Sequence, residues 1–151
     1  MTREVVIVSA ARTAIGTYGG SLKDLTPTEL ASQIVREVLS RAQVKGDEVD
    51  HVVFGQVINT APEDMYLARV AAIQGGCPVG VPAFNVNRLC GSGLQAILSA
   101  GQSILLGDAD IAIGGGAEAM SRAPYASLNL RWGARMGDTP MVDMLVSTLR
   151  D

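Results

Sequence analysis

Between Arg88 and Asp108 the sequence carries no charged side chain: Leu89-Cys90-Gly91-Ser92-Gly93-Leu94-Gln95-Ala96-Ile97-Leu98-Ser99-Ala100-Gly101-Gln102-Ser103-Ile104-Leu105-Leu106-Gly107. The spacing predicts a helix over Gly93 to Leu106. Gln95, Ser99, Gln102 and Ser103 share one face, and Leu94, Ile97, Leu98, Gly101, Ile104 and Leu105 cover the rest. A surface helix of a soluble domain normally shows a charged stripe, so a helix without one belongs in a middle layer with protein on both sides. Nothing else in these 151 residues offers that second side, and the expectation is a chain that needs a further half to cover this helix.

The remaining elements follow from shorter signals. Val5 to Ser9 is a β-branched run of the kind found in strands covered on both faces, followed by a Gly16, Gly19, Gly20 loop. Thr26-Pro27-Thr28-Glu29 supplies a capping hydroxyl, a first-turn proline and a capping-box glutamate. Leu30, Ile34, Val38 and Leu39 then fall on one face of a helix ending near Ala42. His51 to Ile58 reads as a second strand, Pro62 to Gly76 as a helix closed by two glycines, Pro82 to Arg88 as a short extended segment, and Asp110 to Gly116 as a further strand. Alternating strands and helices imply an α/β fold with a mostly parallel sheet, right-handed crossovers and helices on both faces. From Arg122 onward Pro124, Asn129, Gly133, Gly137 and Pro140 break the pattern while Arg122, Arg131 and Arg135 concentrate positive charge. This excursion from the sheet leads into a helix expected to start near Thr139.

Composition narrows the function. With 48% apolar and 18% charged residues the chain is a folding one, and 17 glycines against 4% aromatics require a core of small aliphatic side chains with close backbone approaches. A net charge of −3 and a pI near 5.1 give no general attraction to phosphate backbones, so nucleic acid is not an expected partner, although a local basic patch could hold a small anion. Cys77 and Cys90 form neither a CxxC pair nor a Cys/His cluster, which fits a reducing compartment and argues against disulfides and metal sites. Glu4 and Arg12 bracket too short an apolar run for a signal peptide, and no stretch reaches about 18 consecutive apolar residues. The expected address is the cytoplasm, with no membrane partner.

Two places in the sequence suggest chemistry. Cys90 stands at a strand-to-helix junction, where free backbone N–H groups and the positive helix end favour an anion such as a thiolate. Gly91 and Gly93 leave room for a substrate, and the N–H groups of the turn could hold an oxyanion, a setting suited to acyl transfer through a thioester. A free cysteine in an apolar stretch is equally at home as a buried core residue. The only histidine, His51, lies in a predicted strand and reads as a packed residue; Cys77, in Gly-Gly-Cys-Pro, reads as structural. The second place is Gly114, Gly116 and Ala119, which satisfy a loose dinucleotide-binding fingerprint after a strand, although Pro124 interrupts the helix that fingerprint requires.

Four stretches, Val86 to Ile97 (VNRLCGSGLQAI), Arg12 to Leu25 (RTAIGTYGGSLKDL), Gly114 to Tyr125 (GGGAEAMSRAPY) and Arg131 to Asp143 (RWGARMGDTPMVD), resemble the thiolases in order and over essentially the whole chain. The Pro62 to Ala72 version of the second helix is most similar to bacterial β-ketothiolases. The resemblance implies the N-terminal portion of such an enzyme, with residues 1–121 as an incomplete core domain lacking its last strand, and 122–151 as the start of an inserted loop domain that helps to bind coenzyme A. It implies Cys90 as the nucleophile, Claisen condensation or thiolysis of 3-ketoacyl-CoA through an acyl-cysteine, coenzyme A thioesters as substrates, no permanently bound cofactor or metal, and a dimer or tetramer. Gly114 to Gly116 with Glu118, Met120 and Ser121 match a structural signature, not a catalytic one. A downstream half would carry a histidine in a GHP motif and a cysteine in a CGGG-like motif, and without it the chain is expected to be inactive. The rival reading is a non-catalytic half that docks on another chain through its uncharged helix.

Overall fold

The structure, a computed structural model, describes residues 3–150. Its centre is a parallel sheet in the order β2-β1-β3, with β1 (His51–Gly55) between β2 (Ala83–Val86) and β3 (Ala112–Gly116). The register aligns Gly55 with Val86 on one side and Gly116 on the other. The carboxyl ends of all three strands therefore open at one level, the edge where open α/β sheets bind ligands.

Helices cover both faces. Val52 and Phe54 of β1 point into a core shared with α1 (Pro27–Ala42) and α2 (Leu67–Gly75), where Ala31, Val35, Leu67, Ala68, Ala71 and Ala72 are buried. The alternate residue Val53 points the other way, onto Ala96 and Ala100 of α3 (Ser92–Leu106). The Thr26–Glu29 capping box forms as the sequence predicts: the Thr26 hydroxyl accepts from the Glu29 N–H at 3.2 Å, and Glu29 accepts from the Thr26 N–H at 2.8 Å. The buried face of α1 is Ala31, Ser32, Val35 and Leu39 against α2, so the predicted Leu30, Ile34, Val38 stripe is turned toward a cavity instead. The predicted Pro62 to Gly76 helix divides into a 3-10 stretch, Pro62–Tyr66, and α2 proper. Asp64 Oδ2 accepts from the Thr60 N–H at 2.6 Å and the Ala61 N–H at 3.1 Å, tying the first turn to the loop before it.

The glycines of β3 show why α3 can lie so close to the sheet. A Cβ added at Gly114 would stand 2.6 Å from Ile97 Cα, and one at Gly55 would run into the Ser92 backbone. After β3 a 3-10 turn at Met120–Arg122 follows, with no helix opened by the glycines, so the dinucleotide fingerprint is a packing feature here.

Two expectations are corrected. Val5 to Ser9 forms no strand. Arg3 bonds Asp110 at 2.6 Å, and the Gly19 N–H donates to Ser121 Oγ at 2.9 Å, so the N-terminal segment is tied to both ends of the β3 region. Along its length a cavity of about 670 Å³ separates it from β3, walled by α1 and α3. With no neighbouring strand among the described residues, Ile7 is left 81% exposed. The helix expected near Thr139 is instead β5 (Val142–Asp143), paired antiparallel with β4 (Tyr125–Ala126), and a single turn, α4 (Met144–Thr148). Pro140 disfavours helical backbone at Thr139, and Asp143 starts the helix later by accepting from the N–H groups of Leu145 and Val146.

The outer face of α3 is open, with Leu94, Ile97, Leu98, Leu105 and Leu106 all exposed. The Leu89–Leu106 window is long and apolar enough to cross a membrane by length and composition, at mean hydropathy 1.3. Its inner residues are seated on the sheet, and the uncovered outer ones supply the excess hydropathy.

Candidate active site

The chain leaves β2 at Val86 and enters α3 at Ser92, and the five residues between make a tight elbow. Gly91 N–H donates to the Arg88 carbonyl at 3.2 Å and Ser92 N–H to the Leu89 carbonyl at 2.9 Å. The buried Ser92 hydroxyl accepts from the Arg88 N–H at 2.8 Å and donates to the Leu89 carbonyl at 2.6 Å, closing the turn from inside. Leu89 is held at φ 48°, the left-handed region that a branched side chain enters at a cost of about 1 kcal/mol. Its N–H donates to Asn87 Oδ1 at 3.0 Å, an Asx turn that supports this conformation. Cys90, next in sequence, is exposed at the tip, two residues before the first helical residue.

In front of the elbow lies a cavity of about 440 Å³. Cys90, Leu89 and Gly93 form one wall, Gly55, Val57 and Ile58 a second, Gly116 to Glu118 and Met120 a third, with Leu145 and Leu149 of the C-terminal segment across the opening. The loop after β1 is fixed by Glu118, whose carboxylate accepts from the Val57 N–H at 2.9 Å and the Ile58 N–H at 3.1 Å. Desolvation pushes the Glu118 pKa up against the opposing pull of those two bonds, although part of the side chain faces the cavity. The Val57 carbonyl in turn accepts from Asn87 Nδ2 at 3.2 Å. The arrangement is a wall of mainly apolar side chains, a single accessible thiol at a helix start, and beside it the backbone N–H groups of Cys90 and Gly93, which the elbow's own hydrogen bonds do not use.

Of the residues the sequence singles out, Cys90, Gly93 and the Gly116, Glu118, Met120 group come together here. Cys77 is buried at the end of α2, where desolvation pushes its thiol pKa up. His51 opens β1, at the end opposite the elbow, and packs edge-on against Phe84 at 5.5 Å. Arg131 and Arg135 do not line the cavity, and Arg122 is engaged with the Asp24 carbonyl at 3.2 Å. Asn87, Leu89, Val57 and Ile58 are the site residues that sequence reasoning missed. For Asn87 a signal existed, since Asn two residues before a turn position is the pattern of an Asx turn.

A parallel α/β sheet with a cysteine at a strand-to-helix elbow, over a cavity at the strands' carboxyl ends, defines a class of proteins that present a thiol to a small ligand. Comparison narrows the class to one family. The chain belongs to the thiolases, residues 5–151 matching the family model for the thiolase N-terminal domain. It is 68% identical over 151 residues to the beta-ketothiolase BktB of Cupriavidus necator, covering 100% of this chain and 38% of the relative. It is 47% identical over 143 residues to an acetyl-CoA acetyltransferase of the same organism, covering 95% of this chain and 36% of the relative. Among solved structures, the acetyl-CoA acetyltransferase of Bacillus anthracis superposes with a TM-score of 0.94 at 41% identity, over 99% of this chain and 38% of that one. Human mitochondrial 3-ketoacyl-CoA thiolase in complex with CoA gives 0.92 at 41% identity, over 95% and 37%. The chain thus spans a little over a third of the length of these relatives.

Proposed function

We propose that this chain supplies the acyl-accepting half of a thiolase, with Cys90 as the nucleophile. The observation that carries the reading is the exposed thiol at the elbow, facing the cavity at the carboxyl edge of the sheet. In the forward step the Cys90 thiolate attacks the carbonyl carbon of an acyl-CoA thioester. The oxygen takes the negative charge beside the N–H groups of Cys90 and Gly93, which the elbow's own hydrogen bonds do not use, and the carbonyl re-forms as the coenzyme A thiolate leaves, giving an acyl-Cys90 thioester. In condensation the carbanion of a second acetyl-CoA attacks the acyl-Cys90 carbonyl and the Cys90 thiolate leaves, giving 3-ketoacyl-CoA. In thiolysis Cys90 attacks the 3-keto carbon, the C–C bond breaks to release the acetyl-CoA carbanion for protonation, and coenzyme A then takes the acyl group as the Cys90 thiolate leaves. The base for Cys90 and the proton acceptor for the acetyl donor belong, on the family resemblance, to a downstream histidine and cysteine outside this chain.

The same reading makes residues 1–121 the core domain and 122–151 the opening of a coenzyme A loop, in a cytoplasmic homo-oligomer whose substrates are coenzyme A thioesters and which holds no resident cofactor. It is tested in a chimera in which residues 1–151 replace the matching portion of the Cupriavidus β-ketothiolase. After incubation with acetyl-CoA and digestion, the acetyl label is expected on Cys90 and is expected to be absent from Cys90→Ser, whose alcohol ionises far less readily than a thiol. Label on Cys77 with none on Cys90 overturns the assignment. A second reading, a non-catalytic half that docks onto another chain, draws on the open face of α3. A chimera that folds, binds coenzyme A and never labels any cysteine would favour it.

A further inference from the structure

Asn87 bonds with both of its amide atoms and links two walls of the cavity. Its Oδ1 accepts from the N–H of Leu89, the left-handed residue immediately before Cys90, and its Nδ2 donates to the carbonyl of Val57. Val57 is itself held from the opposite side, its N–H donating to Glu118. The loops that follow β1, β2 and β3 are therefore joined by one run of hydrogen bonds, Glu118 to Val57 to Asn87 to Leu89, ending one residue from the thiol. We propose that Asn87 is the positioning residue of the site: it holds Leu89 in the left-handed conformation that aims Cys90 at the cavity, and sets that elbow at a fixed distance from the Val57–Ile58 wall. The proposal rests on the reading of Cys90 as the acyl acceptor.

The strain at Leu89 gives a specific test. A branched residue needs outside support to stay left-handed, whereas glycine does not. If Asn87 works through that conformation, the larger part of the cost of its removal is present only while a side chain occupies position 89. In the chimera above, Asn87→Ala is expected to lower kcat for acetoacetyl-CoA thiolysis by roughly 10²-fold, the scale of a displacement of about 1 Å at a reacting group. KM is expected to stay unchanged, the pattern of an interaction that matters in the transition state alone. In the Leu89→Gly background, compared with Leu89→Gly by itself, the same replacement is expected to cost only the share carried by the Val57 bond, the loss that Asn87→Asp reads. An equal loss in both backgrounds, or wild-type turnover in Asn87→Ala, overturns the proposal. Asn87→Asp provides an arm that does not depend on Asn87→Ala folding. It is isosteric and keeps the acceptor for Leu89 while removing the donor to Val57, so its loss is expected to be the same with leucine or glycine at position 89. A loss that disappears in the Leu89→Gly background overturns the assignment of the Leu89 bond. Acetyl labelling separates the levels: Cys90 labelled in the parent with these couplings absent sinks the positioning role alone, and Cys90 unlabelled in the parent sinks both.

Discussion

At the scale of single residues, the two cysteines occupy opposite surroundings. Cys90 is exposed at the elbow, whereas Cys77 is buried under α2 with its thiol pKa pushed up by desolvation. Since the thiolate is the reacting species and must be reached, iodoacetamide near neutral pH is expected to alkylate Cys90 well before Cys77. Competitive labelling followed by peptide mapping checks this, and equal rates in a folded chimera would make Cys90 an ordinary core thiol. The sequence marked Cys90 through its motif and left its role open on spacing alone. The Asx turn from Asn87 to Leu89 is local and readable in the sequence, whereas the bonds that Glu118 and Asn87 make to Val57 were not legible, because each reaches a distant segment. Such partnerships form only after β1, β2 and β3 are in register. The left-handed Leu89 is still less legible, since nothing in a leucine's chemistry favours that conformation.

At the scale of elements, the close seat of α3 on the sheet depends on residues without side chains. Gly114→Ala would place a Cβ 2.6 Å from Ile97 Cα and force the helix off β3. The expected cost is about 1–3 kcal/mol of stability, the range for overpacking a tight contact, read from the midpoint of urea unfolding. Because Cys90 sits just before α3, slower acetylation is expected alongside it. The sequence also offered those glycines, as a loose match, to dinucleotide binding, with Pro124 against it, and a 3-10 turn in place of the required helix follows β3. The other end of the sheet is tied by Asp50, which accepts from the N–H groups of Asp110 at 2.8 Å and Ile111 at 3.1 Å. These bonds lower the pKa of its carboxyl below the usual value. A carboxylate with a lowered folded pKa contributes stability that is present above the unfolded value, about 4, and lost as the pH falls through the folded value. Asp50→Ala is therefore expected to cost less than about 1 kcal/mol at neutral pH, because solvent screens an exposed carboxylate, and progressively less as the pH is taken below about 4, measured by unfolding at a series of pH values. A cost that does not change with pH would assign the effect to something other than those charged bonds. The start of helix α1 was legible because the capping box is a local signal, while its end is closed by Gln43 in the left-handed region at φ 56°.

At the scale of the molecule, one absence of coverage explains both the misread first strand and the uncharged helix. Val5 to Ser9 has the composition of a buried strand, yet it faces a cavity of about 670 Å³ with β3 on the far side, while α3 shows a row of exposed leucines and isoleucines on its outer face. For α3 the sequence pointed to a partner outside these 151 residues, whereas the composition of Val5 to Ser9 states only that the segment is suited to burial, not where its partner lies. An unpaired β3 edge and an uncovered apolar helix are both prone to association. Residues 1–151 by themselves are accordingly expected to associate or aggregate when purified under reducing conditions, and to give negligible acetoacetyl-CoA thiolysis, since the proposed function places the base for Cys90 and the proton acceptor for the acetyl donor in a downstream portion. Adding the matching C-terminal portion of the Cupriavidus relative during refolding is expected to restore turnover. It should also slow hydrogen exchange at two places together: the backbone amides of Val5 to Ser9, and those of β3 that border the cavity. Sedimentation, the thiolysis assay and exchange mapping decide the matter jointly. A monodisperse monomer of residues 1–151 turning over at roughly 1–10³ per second would show that the site needs nothing beyond this chain. Restored turnover with Val5 to Ser9 still exchanging freely would show that whatever completes the enzyme does so without entering the space beside β3.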